Sequence, residues 1–141
     1  MTDLSADKIH MIEFAKFVQF ALPLTPVPLS ACFVNVARNG RADSKRYALW
    51  KTQTDVALRG KRGLCGKPGK PTIPGEVAVT FSVQRQSNRR QDIDNLLKAC
   101  GDTLTRNHII QDDSMIVDLR IKWAPKNSFD GAVLVEIFQN T

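Results

Sequence analysis

Arg89-Arg90-Gln91-Asp92-Ile93-Asp94-Asn95-Leu96-Leu97-Lys98 sets two carboxylates two residues apart, with a lysine one helical turn after the second. Asp112-Asp113 follows about one helix later. Residues i and i+2 lie on nearly opposite sides of a helix, so Asp92 and Asp94 share a ligand only if Asp92 is still extended or caps the helix. Asp is a favoured N-cap, and acidic residues suit a first helical turn. Beyond it Leu97, Cys100 and Leu104 recur at helical spacing, with Leu96, Ala99 and Thr103 beside them. The spacing predicts a strand or loop running into Asp92 and a helix over about 93–106. Lys98 then stands one turn above Asp94, and Asn107 serves as a left-handed stop.

Clustered Asp oxygens suit Mg²⁺, which takes few hard ligands and keeps water in its remaining positions. A lysine beside them can orient or neutralise a phosphate. The same residues also fit a structural role, in which Asp92 and Asp94 cap a helix and Lys98 pairs with Asp94. Spacing alone leaves both open, because D-x-D before a helix is a short motif.

Outward from this centre, the upstream segment 76–84 alternates cleanly, with Val77, Val79, Phe81 and Val83 on one face. It predicts a strand that delivers the chain to the acidic loop. Downstream, 115–123 alternates again, and 132–138 reads as its partner in a hairpin. Toward the N-terminus, 14–22 reads as a strand, three prolines (Pro23, Pro26, Pro28) give an extended turn, and 31–37 reads as a short strand. Residues 38–41 form a basic turn. Asp43 or Ser44 caps a helix running to about 58, with Tyr47 and Trp50 expected to pack rather than to stack on nucleic acid. Residues 59–75 hold too many Gly and Pro for helix or central strand and read as a flexible basic loop. Residues 1–13 read as a mobile extension. The element order β-β-α-β-α-β-β predicts a small single-domain α+β fold, a mixed sheet with helices packed on one face.

At 141 residues the chain supports one domain with its own core. Its 43% hydrophobic and 24% charged content argues against global disorder. Net charge is +6, and the basic residues concentrate between Arg38 and Arg90, thirteen against three acidic ones, while the rest of the chain is net acidic. A basic half that grips phosphates beside an acidic cluster that holds a metal is the layout a metal-dependent nuclease needs; a solvated charged face is the plainer reading. Cys32, Cys65 and Cys100 are far apart, with no C-x-x-C and only two histidines, His10 and His108. That pattern rejects a zinc site and a disulfide framework and implies a reducing compartment. Histidine-metal and Ser-His-Asp chemistry are equally disfavoured, and His108 reads as a turn residue. No stretch is long enough to span a bilayer and the N-terminus lacks a signal-peptide layout, so a cytoplasmic protein is expected.

Asp92-Ile93-Asp94-Asn95-Leu96-Leu97-Lys98, followed by Asp112-Asp113 and Val117-Asp118, resembles the core signature of the RusA family of Holliday-junction resolvases. The likeness covers about 17–138 and is most specific over 89–118. Leu22-Pro23, Pro28-Leu29-Ser30, Phe33-Val34-Asn35 and 41–50 resemble the family's first half more loosely. The resemblance implies a RusA-like fold and an endodeoxyribonuclease that resolves four-way DNA junctions by paired symmetric nicks in recombination and repair. It implies Asp92, Asp94 and Asp113 as catalytic Mg²⁺ ligands (with Mn²⁺ as a substitute), and Lys98 as an essential cation beside them. Asp112 and Asp118 are expected to support the ligands from behind. Arg38, Arg41, Lys61, Arg62, Lys67, Lys70, Arg89 and Arg90 are expected to meet DNA phosphates, and a homodimer supplies one active site per cut strand. One departure stands out: the family often has Arg directly before the first Asp, and here that position is Gln91. Two rival readings are a non-catalytic basic nucleic-acid-binding module and a metal-dependent nuclease for another branched DNA.

Overall fold

Val77, Val79, Phe81 and Val83 carry almost no exposed surface and form the inward face of the strand on which the molecule is built. The computed structural model describes residues 16–38, 40–85 and 91–140. The predicted extension 1–13 and the first residues of the predicted strand 14–22 lie outside the described residues. Among the described residues six strands and two α-helices follow in the order β1 (Phe17–Leu22), β2 (Phe33–Val36), β3 (Gly40–Asp43), α1 (Lys45–Arg59), β4 (Val77–Gln84), α2 (Leu97–Arg106), β5 (Ile116–Ala124) and β6 (Val133–Gln139). The main sheet is mixed, in the order β1-β6-β4-β5, and β2 and β3 form a separate antiparallel pair. This is the small α+β fold the sequence predicts, with the basic turn at Arg38 opening into a hairpin that contains the extra strand β3.

The register aligns one apolar face across the sheet. Phe20, Val135, Phe81 and Ile121 stand side by side, as do Leu22, Val133, Val83 and Trp123. Tyr47, Trp50 and Leu58 of α1 and Ala99, Cys100 and Leu104 of α2 join that face in one core. Full burial of Phe81 alone is worth about 3 kcal/mol.

The predicted hairpin between the last two strands does not form. β5 pairs in parallel with β4, whereas β6 runs antiparallel to both β4 and β1. Two features explain the difference. Gln84, buried at the end of β4, donates from its side-chain amide to the Phe129 and Gly131 carbonyls and accepts from the Ser128 amide, so the connection after β5 crosses the end of β4. β6 carries Val133, Val135 and Ile137, all fully buried, and takes a central place, while β5 keeps Arg120 and Lys122 exposed at the edge. Charged residues on an edge strand are the common guard against further pairing.

Helix α1 starts at Ser44, whose hydroxyl accepts from the Tyr47 amide at 3.1 Å and donates to the Ala31 carbonyl at 2.6 Å. Tyr47 and Trp50 are buried and packed, as expected: the Tyr47 ring meets Phe33 edge-on, and the Trp50 indole donates to the Leu24 carbonyl.

Past Arg59, the last residue of α1, the predicted loop through residue 75 has neither helix nor a named strand, in keeping with its Gly and Pro, but it is fastened to the core. Leu64 and Ile73 are buried, and the amides of Gly66, Thr72 and Ile73 donate to the carbonyls of Asn107, His108 and Ile109. Gly66 is obligatory: a Cβ there would stand 2.3 Å from the His108 carbonyl oxygen. Asn107 is not the left-handed stop. Its φ is −95° and its amide is buried against Asp55, while His108 takes the positive φ of 55° that ends the helix. Among the described residues no helix is long and apolar enough to cross a membrane.

Candidate active site

Beyond the end of β4 the described chain resumes at Gln91, and Asp92 is extended at φ −72° and ψ 123°. The predicted helix over 93–106 begins as a 3-10 turn, Ile93–Leu96, and becomes α-helical at Leu97. Leu96, fully buried, anchors the turn to the core and leaves Asp92 and Asp94 exposed on the other side. Asp92 occupies the cap position of the turn, but its side chain makes no capping hydrogen bond. Among the described residues only its backbone carbonyl is engaged, accepting from the Asn95 amide.

After α2 the chain returns through Ile109 and Ile110, both fully buried, and a second 3-10 turn, Asp113–Met115, leads into β5. Asp113 meets α2 there: one of its carboxylate oxygens accepts from the Thr105 hydroxyl at 2.9 Å. Asp112 is extended and accepts from the Ser114 hydroxyl at 2.9 Å.

These two turns and the first half of α2 enclose an open cavity of about 490 Å³. Asp94, Lys98, Asp102 and Asp113 line it, over a floor that includes Phe81, Ile116 and Leu119. A second cavity of about 380 Å³ adjoins it, sharing Lys98, Asp102 and Asp113 and adding Asp43, Lys51 and Arg106. The structure thus brings Asp94, Lys98 and Asp113 together. Asp92 stands outside the residues lining this cavity. Asp118 is not brought in: Leu119 lines the cavity, so its strand neighbour Asp118 faces the opposite side of the sheet, 3.6 Å from Arg120.

Asp102 is a site residue that the motif alone does not single out. Asp94, Lys98 and Asp102 recur every four residues, which places all three on one helical stripe, and that spacing is the available signal. Lys98 pairs with Asp102 at 3.0 Å, the side opposite to the partner that a purely structural reading assigns it. Among the described residues neither Asp94 nor Asp113 has a salt-bridge partner, whereas Lys51 pairs with Asp43 and Arg106 with Asp55.

Mg²⁺ binds in two ways: in dedicated cages, or by one or two carboxylates with water and substrate phosphate oxygens filling the octahedron. Among the described residues no three His, Cys, Asp or Glu side chains converge as a ready-made cage. The donor set fits the second mode: the carboxylates of Asp94 and Asp113 supply hard oxygens, have no salt-bridge partner among the described residues and face an open cavity.

Behind the second cavity, Asp55 of α1 is held by Arg106 through two hydrogen bonds of 2.7 and 2.8 Å, and by the Asn107 amide at 2.9 Å. Burial alone would raise the Asp55 pKa, but these hydrogen bonds overrule it and the carboxyl is held below its usual range. The three cysteines are free, and burial pushes the Cys100 thiol up to about 12, so it is an inert core group.

Of the expected DNA-facing cations, Arg38, Arg41, Lys61, Arg62, Lys67 and Lys70 are all exposed. Arg38 and Arg41 flank the tip of the β2–β3 hairpin, and the Arg41 guanidinium lies 4.5 Å over the Phe33 ring. Arg89 and Arg90 lie outside the described residues.

The family model described as Endodeoxyribonuclease RusA matches residues 23–137, most of the chain and all of the cavity just described. No curated protein matches the chain.

Proposed function

The chain belongs to the RusA family of endodeoxyribonucleases, Holliday-junction resolvases that hydrolyse phosphodiester bonds, and we propose that it is a Mg²⁺-dependent member that cuts four-way junctions by paired nicks as a homodimer. The observation that carries this reading is that Asp94 and Asp113 face one open cavity and that, among the described residues, neither has a salt-bridge partner. A structural role for these carboxylates would leave them paired.

Asp94 and Asp113, joined by Asp92 two residues before Asp94, would hold the ion. When bound, Mg²⁺ supplies charge neutralisation at the scissile phosphate and lowers the pKa of attacking water. Thr105 fixes one oxygen of Asp113, so that the other is left for a ligand. Lys98, on the same wall, places an ammonium where negative charge builds on the phosphate in the transition state. Asp112 supports the turn that presents Asp113 through its hydrogen bond with Ser114. Attack in line leaves a 3′-hydroxyl and a 5′-phosphate. The cations of the hairpin tip and of segment 59–75 take flanking phosphates, which carry no sequence information but fix the position of the duplex. Two-fold symmetry supplies the second cut, because one chain brings one Asp92–Asp94 and Asp113 cluster.

The test is cleavage of a synthetic four-way junction beside linear duplex and flap DNA, with Mg²⁺, with Mn²⁺ and with chelator. Paired nicks confined to the junction and abolished by chelator are expected. Preference for the flap would point to another branched substrate, and binding without any cut in either metal would leave a nucleic-acid-binding module.

A further inference from the structure

Asp102 does not belong where helix energetics would put it. In an i,i+4 pair the favourable order sets the acid toward the helix N-terminus and the base toward the C-terminus, because of the helix dipole. Here the order is reversed, with Lys98 in the first turn of α2 (Leu97–Arg106) and Asp102 one turn later. The pair is therefore poorly explained as a helix-stabilising device.

Its surroundings explain it better. The Asp102 carboxylate is a third exposed and stands in the wall common to the two cavities. The oxygen that receives the Lys98 ammonium also faces the Tyr47 hydroxyl at 3.5 Å. Tyr47 is only 2% exposed, wedged between Phe33 and Trp50. Burial and then the Asp102 charge raise its pKa, which keeps the hydroxyl a donor. Asp102 thus has a rigid neighbour on one side and a lysine with four rotatable bonds on the other.

Lys98 shares its cavity with three carboxylates, Asp94, Asp102 and Asp113. A free ammonium there would settle on Asp94 or Asp113 and occupy the oxygens that a metal ion needs. We propose that Asp102 is a positioning residue for Lys98: it holds the ammonium off Asp94 and Asp113 and fixes its direction toward the substrate phosphate. The consequence of that placement for cleavage rests on the nuclease reading, whereas the placement itself does not.

The test uses Asp102→Asn, nearly identical in size, and Asp102→Glu, in the wild-type and Lys98→Ala backgrounds. On a four-way junction with Mg²⁺, Asp102→Asn is expected to lower kcat by up to about 100-fold, the cost of a catalytic group misplaced by an ångström, with KM unchanged. Asp102→Glu should restore part of the rate, and in Lys98→Ala protein the Asp102→Asn change should cost nothing more. Equal losses in both backgrounds would overturn the proposal. A second measurement needs no cleavage: reductive ¹³C-methylation keeps the lysine charge, and the Lys98 methyl resonance is assigned by its absence in Lys98→Arg. In Asp102→Asn that resonance should move toward the position of a free surface lysine and sharpen. An unmoved resonance would refute the positioning role even in a protein that cuts, while an inactive wild type would refute the nuclease reading alone and leave this result to decide.

Discussion

Asp55→Asn should weaken the fold that carries the site, by an amount that follows from its hydrogen bonds. Asp55 of α1 accepts three: from Arg106 Nε at 2.7 Å, Arg106 Nη2 at 2.8 Å and Asn107 Nδ2 at 2.9 Å. Two of them converge on one oxygen, so an asparagine oxygen in that place keeps at most two, and its amide nitrogen then faces the third donor. The charge is lost as well. Removing one partner of a buried ion pair costs about 3–5 kcal/mol. The Arg106 side chain keeps a quarter of its surface in water, so the low end, about 3 kcal/mol, is expected. For a chain of this size that is a fall in Tm of roughly 10 °C. The pH dependence gives a sharper check. The folded pKa of Asp55 is lowered, so its contribution is present above the ordinary carboxylate pKa and is lost as pH falls through the folded value. Urea unfolding of both proteins at pH 7 should show the full gap, and the gap should close in acid, below about pH 4. A loss under about 1 kcal/mol at pH 7, or a gap that persists unchanged in acid, would show that the pair does not join the two helices as described.

Gly66→Ala should cost about 1–3 kcal/mol by thermal unfolding, because the added methyl meets the His108 carbonyl at 2.3 Å with backbone on every side; a neutral effect would mean the segment is not seated there. Replacing Lys61, Arg62, Lys67 and Lys70 together by Ala should flatten the plot of log junction affinity against log salt by about 0.9 for each phosphate left without its cation, and an unchanged slope would remove the segment from the DNA interface. Light scattering should give a mass of two chains at micromolar concentration, with or without junction DNA; a strict monomer in both conditions would refute the paired-nick scheme.

What the sequence makes legible is local. The alternation of Val77, Val79, Phe81 and Val83 marks a strand and its buried face, and the apolar spacing of Leu97, Cys100 and Leu104, with Leu96 and Ala99 beside them, marks a helix. What it hides is long-range. The last two strands read as a hairpin, but β6 lies between β4 and β1 because Gln84 draws its leading loop across the end of β4. The contrast between Val133, Val135 and Ile137 and the charged Arg120 and Lys122 is the sign of a central strand and an edge. In the site, the grouping of Asp94, Lys98 and Asp113 agrees with the sequence spacing. Asp102 is hard to see because it lies outside the compact motif, although its four-residue step from Lys98 is visible. Asp118, near the motif in sequence, faces away because strands alternate.

The most direct measurement is a gel of Mg²⁺-containing reactions on a labelled four-way junction, comparing wild type with Asp94→Asn and scoring nicks and shifted complexes in parallel. Asparagine keeps the size and one oxygen of Asp94 but removes the charge that competes with phosphates for a cation, and it lowers repulsion toward DNA. The expected result is paired nicking by wild type, no nicking by Asp94→Asn, and a shift as strong or slightly stronger in the variant. Undiminished nicking by Asp94→Asn, or wild-type protein that shifts the junction without ever cutting it, would contradict the assignment of this cavity as the catalytic centre.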